Sequence, residues 1–398
     1  MMLNIIGGSY IENCVDPFSS ELYGSGLRAS AALSNKGFKI NFQSCICEKF
    51  KGLALLKSKT FGYSCNYTII PQTVEFDYYH PLSVPISSFN QGSKICSIDN
   101  NREGDFLYYG MAESNAQING NYVVYDPQNH INFKDTGSTS KHLAVILNKN
   151  EALLLSKGGS DDLTTIGKNL LISENADVIV IKNGVHGALV FENHEIFEIP
   201  VFYTNYVWPI GSGDIFSAVF AWKWIIEKES AFNAAFYASK YTAQYCLSKH
   251  LPVVLDPQGS LHPLEIKSRT KSIYLAGPFF SISERWLINE LRNILINFGN
   301  KVFSPFHDVG IIHSGYINEQ ATNIASKDLE GIIKCDTVLA VINGLDVGTF
   351  FEIGYAKSLN KKVVILAQDI KEKDLTMLIG TECEITDDFS TAIYKASW

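Results

Sequence analysis

The chain has 398 residues, 46% hydrophobic and 19% charged, a globular composition with material for two domains or more. Its formal net charge is -8 and no Lys/Arg cluster offers a surface for a phosphate backbone, so no nucleic-acid partner is expected, while small nucleosides and nucleotides stay open. No apolar run reaches the ~20 residues needed to span a bilayer, and the eight cysteines form no CxxC pair and have no His cluster beside them, so neither a membrane span nor a metal site is expected.

The first predicted strand, residues 3–6, closes on Gly7-Gly8. It is too short for a secretory leader and reads as a buried strand. Cysteines scattered from Cys14 to Cys383 suit a reducing cytoplasm. Gly24-Ser25-Gly26 precedes an Ala-rich helical stretch. Strands are predicted at 122–125, 144–147 and 178–181, each ending in a polar loop, and a hairpin-like pair at 188–191 and 195–199. Helices at about 214–227 and 230–248 close this part. The first of them opens on Ile210-Gly211-Ser212-Gly213-Asp214. Glycines before a helix N-terminus expose backbone N–H groups and make an anion site. Asp214 at that turn is placed to take a proton from a substrate hydroxyl.

Two prolines and a glycine fall between Asp256 and Pro263, followed by a basic polar run. This predicts a linker over 257–271 between a domain at 1–256 and another at 272–398. The second part alternates strand and helix: strand 272–276, helix 284–298 with Trp286, Leu287, Leu291, Ile294 and Leu295 on one face, strand 301–304, helix 318–334, strand 337–342, helix 349–359 and strand 362–366. Near-continuous apolar strands separated by helices predict a parallel sheet covered on both faces. Ligands of such sheets bind beyond the carboxyl ends of the strands. Tyr274 ends the first of these strands, Asp328 precedes the third, Asp346 follows it, and Gly348 lets backbone approach a ligand closely. Glu352 is expected in the first turn of the next helix, where the dipole would keep it ionised. An ionised carboxylate beside a sugar is a competent nucleophile, and a second carboxyl group must serve the leaving base.

These segments resemble the nucleoside 2-deoxyribosyltransferase family. Ile273-Tyr274-Leu275-Ala276-Gly277-Pro278-Phe279-Phe280, Phe303-Ser304-Pro305, Lys327-Asp328-Leu329-Glu330-Gly331-Ile332, Cys335-Asp336-Thr337 and Asp346 through Ala356 occur in the family's order. The resemblance implies a small doubly wound, flavodoxin-like domain in a homo-oligomer. It makes Glu352 the nucleophile of a covalent glycosyl-enzyme, with no cofactor. Asp346 and Asp328 would contact and protonate the base, Tyr274 would hold Glu352, and Gly277, Phe279 and Gly348 would line the substrate site. Asp336, at a helix-to-strand junction, is expected to serve the turn.

The first part resembles the ribokinase-like PfkB sugar and nucleoside kinases, in the Gly211–Asp214 turn and in Asp126-Pro127-Gln128-Asn129, Asn148-Lys149-Asn150-Glu151 and Lys182 through Ala188. The resemblance implies a larger α/β domain using ATP and Mg. Asp214 would be the base, Gly211, Ser212 and Gly213 the anion hole, and Asn148 with Glu151 the Mg–phosphate support. The chain departs from that pattern in having Trp208-Pro209-Ile210 before the glycines, Arg28 where an Asn is usual, and Glu12 as the nearest match to an early substrate-binding Asp. Two functions stay open: deoxyribosyl transfer between bases beside a sugar or nucleoside kinase-like domain, or hydrolysis of a nucleoside 5'-monophosphate regulated by a nucleotide-sensing, non-catalytic kinase-like domain. Nucleosides, nucleotides and free bases are the expected small-molecule partners.

Overall fold

The computed structural model describes residues 1–89, 96–128, 130–156, 161–255, 259, 261–265, 270–310 and 317–398. They divide into two compact units, Met1–Leu264 and Glu265–Trp398. Residues 257, 258, 260 and 266–269 of the expected linker lie outside the described residues, as does Asn129. Within the first unit, Tyr203 N donates to His262 O at 3.1 Å and Leu264 N to Val201 O at 2.8 Å, so part of the expected linker is tied down by backbone pairing.

The first unit opens with β1 (Met2–Ile6), β2 (Tyr10–Cys14), β3 (Ser19–Tyr23), α1 (Gly24–Ala32), β4 (Lys39–Cys47), α2 (Glu48–Phe61), β5 (Ser64–Ile70), β6 (Glu75–Tyr78) and β7 (Ile86–Ser87). It continues with β8 (Cys96–Tyr109), β9 (Ser114–Asp126), β10 (Thr139–Asn148), α3 (Lys149–Leu155), α4 (Leu163–Glu174), β11 (Val178–Lys182), β12 (Ala188–Glu192), β13 (Glu195–Ile199), α5 (Ser212–Ala221) and α6 (Ala231–Ser248). Among the described residues, nine strands form one mixed sheet in the order β13-β12-β11-β10-β9-β8-β1-β4-β5. The pairs from β11 to β5 are parallel, and β12 and β13 add on antiparallel. Apolar residues fill both faces. Leu3, Ile5, Val124 and Val180 pack with α1, α5 and α6 on one side, and Ile6, Tyr125, Val145 and Ile181 with α3 and α4 on the other. A second sheet of four short strands, β3-β2-β6-β7, is built from half-exposed residues. Cys45 and Cys96, 51 residues apart in sequence, are brought together as a cysteine pair, a contact that nothing in their spacing announces.

The second unit runs β14 (Ser272–Ala276), α7 (Ile282–Asn297), β15 (Lys301–Phe303), α8 (Pro305–Asp308), α9 (Ile317–Lys334), β16 (Thr337–Val341), α10 (Val347–Ser358), β17 (Lys362–Leu366), α11 (Thr376–Gly380), β18 (Glu384–Thr386) and α12 (Phe389–Ser397). Its five strands are all parallel in the order β15-β14-β16-β17-β18. The chain therefore reverses direction across the sheet between β14 and β16, the crevice at which doubly wound folds bind ligands. Helices α9 and α10 pack together on one face, and α7 and α12 on the other. Ser281 caps α7 through a capping box with Glu284. Its buried stripe is Ile288, Leu291, Ile294 and Leu295, whereas Trp286 is 46% exposed. The predicted apolar face is thus turned: it was drawn through Trp286, and the true stripe keeps i, i+3 and i+7 spacing from Ile288. The helix ends where Gly299, at φ +90, lets Asn300 N reach Leu295 O at 3.1 Å, a backbone turn that costs a β-carbon-bearing residue more.

Candidate functional sites

In the second unit the polar residues gather at the β14/β16 switch. Tyr274 comes from the middle of β14 and is fully buried, stacked on Phe303 at 5.4 Å. Its Oη donates to Glu352 Oε1 at 2.6 Å. Burial, Glu352 and Asp328 together push the Tyr274 phenol well above its ordinary value, so it is a donor at any physiological pH. Gly331 makes this arrangement possible: a β-carbon there would stand 2.8 Å from the Phe303 ring and 3.1 Å from the Tyr274 ring.

The helix carrying Glu352 starts earlier than its sequence suggests. Asp346 is the N-cap, its Oδ2 accepting from both Thr349 N and Thr349 Oγ1 at 2.8 Å, and α10 begins at Val347. Glu352 therefore lies in the second turn, beyond the reach of the terminal dipole. The expectation that it stays fully ionised is corrected accordingly. Burial, with the Asp328 and Asp346 charges adding to it and the Tyr274 bond opposing, moves its carboxyl up to about 7. Asp328, on α9, is also raised by burial, to about 6, and its Oδ1 is buried without a hydrogen-bond partner. Two carboxyl groups raised toward neutrality by burial, one of them also sensing the other's charge, are the equipment of acid–base and nucleophilic chemistry.

Around them, Gly277 follows β14, where a β-carbon would meet Ile288 Cδ1 at 2.7 Å. Gly348 abuts the cap, a β-carbon there falling 3.1 Å from Asp346 Oδ2. Phe279 stacks with Phe280 at 5.3 Å and Phe306 at 5.6 Å, and its carbonyl accepts from Arg285 Nε at 2.8 Å. Phe306 had no signal in the sequence beyond its place just after Pro305. Asp336 Oδ2 accepts from Ser272 N at 2.8 Å, tying the start of β14 to the turn before β16.

In the first unit, Asp126, Asn148 and Lys182 end β9, β10 and β11, and the Gly211–Asp214 turn opens α5. Gly211, at φ +78, is the N-cap. Asp214 Oδ2 accepts from Arg28 Nη1 at 2.6 Å, and Oδ1 from Gln128 Nε2 at 2.8 Å. Arg28 also pairs with Glu12 through both terminal nitrogens. Asp126 Oδ2 accepts from Ser217 Oγ at 2.6 Å and Lys182 Nζ at 3.0 Å, contacts not foreseen in the sequence. A β-carbon on Gly213 would lie 3.4 Å from Lys182 Nζ, which sets that ammonium against the turn. Asn148 and Glu151 close a capping box on α3, at 2.9 and 2.7 Å. Burial and then the Asp126 charge move the Glu151 carboxyl up to about 7. Among the described residues, no group of three or more His, Cys, Asp or Glu side chains is disposed to hold a metal by itself, and no helix is long and apolar enough to cross a membrane.

A parallel sheet with a polar crevice at its switch point, preceded by a mixed sheet with a glycine turn at a helix start, defines a chain of two α/β enzyme-type domains. Residues 105–252 match the pfkB carbohydrate kinase family and residues 273–387 the nucleoside 2-deoxyribosyltransferase family. The chain carries a PfkB ribokinase-like domain followed by a nucleoside 2-deoxyribosyltransferase domain. No curated protein matches it. Solved structures similar to it include a pyrophosphate-dependent kinase of the ribokinase family complexed with a pyrophosphate analog and myo-inositol (14% identity, 62% of this chain and 95% of that one, TM-score 0.43). Others are phosphofructokinase-2 from Escherichia coli with substrates and products (10%, 62% and 94%, 0.45) and ribokinase from Thermotoga maritima (13%, 63% and 95%, 0.45).

Proposed function

We propose that the second unit breaks the N-glycosidic bond of a 2-deoxyribonucleoside and passes the 2-deoxyribosyl group to another base through an ester on Glu352. The observation that carries this reading is the Tyr274–Glu352 bond of 2.6 Å in a site that also holds Asp328. The free Glu352 oxygen attacks C1' of the sugar while Tyr274 holds the other. The C1'–N bond breaks, its electron pair leaves on the base nitrogen, and protonated Asp328 supplies the proton that makes the base a good leaving group. Asp346 keeps one oxygen on the helix cap, which leaves the other to orient the base. The second half runs in reverse: an acceptor base attacks C1', its proton passes to Asp328, and Glu352 is released.

Each deoxynucleoside is incubated with and without a free acceptor base and the products are separated by chromatography. Exchange that requires the acceptor is expected; base release that ignores it indicates water as the acceptor. Glu352→Gln should lower turnover by about 10³-fold or more, as loss of a nucleophile does. Undiminished turnover in that variant overturns the proposal.

A further inference from the structure

We propose that the acceptor chamber of the kinase-like unit is filled by the chain's own side chains, so that Asp214 anchors an ionic cluster and takes no proton from a substrate. A general base must come within about 2.6–3.2 Å of the hydroxyl it serves. Here both carboxylate oxygens of Asp214 are already engaged, Oδ2 by Arg28 and Oδ1 by Gln128. Arg28 is 2% exposed and is held from its other side by Glu12. Burial works against its charge, and Glu12 and Asp214 are among the groups that outweigh that. Its guanidinium lies against the glycine turn itself: a β-carbon on Gly211 would fall 2.2 Å from Arg28 Nε. The cation therefore stands on the ground that an acceptor hydroxyl would need.

The Tyr10 ring lies over Gly8, just after β1, where a β-carbon would meet Tyr10 Cζ at 2.0 Å. It is fixed there by the 2.7 Å bond from Tyr10 Oη to buried Glu113. Beside Glu12, Tyr23, Arg28, Trp208, Ile210 and Tyr245 lies a cavity of about 50 Å³. Ligand pockets run to roughly 300 Å³ and more. A cavity of that size takes a water or two.

A base and an anchor respond differently to the same substitution. Removing one member of a buried ionic cluster leaves the others incompletely paired, so Asp214→Asn and Arg28→Met should each lower the Tm of the full chain by about 5 °C or more. The double variant should lose less than the two single losses added. If Arg28→Met does not fold, Asp214→Asn carries the test alone. In parallel, wild-type protein is given Mg with ATP or pyrophosphate and, one at a time, ribose, a hexose 6-phosphate, myo-inositol and the four deoxynucleosides. No phosphoryl transfer above the Asp214→Asn background is expected. Transfer by the wild type that disappears in Asp214→Asn overturns the proposal, and so does an Asp214→Asn variant that melts with the wild type.

Discussion

Replacing Tyr274 by Phe removes one oxygen and leaves the stacked ring in place. The bond it deletes is the one influence that favours ionised Glu352, against burial and the charges of Asp328 and Asp346. A hydrogen bond to a charged group contributes about 1.5–3 kcal/mol, and 1.36 kcal/mol corresponds to one pH unit. The Glu352 carboxyl, at about 7 in the wild type, should therefore titrate roughly one to two units higher in the variant. At pH 7 the ionised fraction falls from about half to between roughly 7% and under 1%, a loss of about 7- to 80-fold in base release. The assay is the pH dependence of kcat/KM for deoxynucleoside cleavage in both proteins. Because Asp328, at about 6, gives up its proton as the pH rises, the rate should be lower throughout and the alkaline limb, set by the higher Glu352 value, should move up by one to two units. A Tyr274→Phe enzyme whose limb does not move, whatever its rate, refutes the role assigned to this bond.

Three further outcomes follow from the same site. Cleavage needs Glu352 without its proton and Asp328 with one. With the two at about 7 and about 6, the rate should trace a narrow bell peaking between them, and Asp328→Asn should remove the alkaline limb while lowering the rate about 10²- to 10⁴-fold; a flat profile from pH 5 to 8 would count against this. Because folding raises the Glu352 value from 4.5 to about 7, the stability its protonated form supplies is present below about 4.5 and is lost as pH rises through 7. Glu352→Gln should thus be more stable than wild type at pH 8, by about 1–2 kcal/mol allowing for screening at a half-buried site, with the gain vanishing below pH 4.5 in thermal melts. Gly331→Ala should cost about 1–3 kcal/mol by crowding Phe303 and Tyr274; an unchanged Tm with unchanged turnover would show that the rings yield freely.

Much of the second unit can be read from its residues. Strands 272–276, 337–341 and 362–366 are short apolar runs between helical stretches, and hydrophobic periodicity alone marks them. The order of Tyr274, Asp328, Asp346 and Glu352 marks the crevice. α10 starts two residues before its predicted start because Val347 and Gly348 are weak helix formers that pattern alone does not mark; with Asp346 as the cap, Glu352 lies outside the dipole's range. The edge strand Glu384–Thr386 and helix Phe389–Ser397 went unnoticed because a three-residue strand has no period to detect. The four-stranded sheet of the first unit escaped for a related reason. Strands such as Ser19–Tyr23 and Glu75–Tyr78 are half-exposed and polar, and only pairing defines them. The Arg28–Asp214 contact spans 186 positions. No local pattern encodes such a pair. The sequence did flag both members, Arg28 as a departure from the usual residue and Asp214 as a motif position, without saying that they meet.

Asp346 gives one oxygen to the helix, and in the proposed reaction the other meets the base. The cap forms when α10 forms, so the carboxylate is immobilised during folding and an arriving base need not order it. Conformational entropy that a loop carboxylate would surrender at each encounter, of order 1 kcal/mol, is surrendered here once in the lifetime of the folded chain. Substitutions that merely loosen the cap should consequently show in the entropy of ligand binding before they show in the geometry of the site.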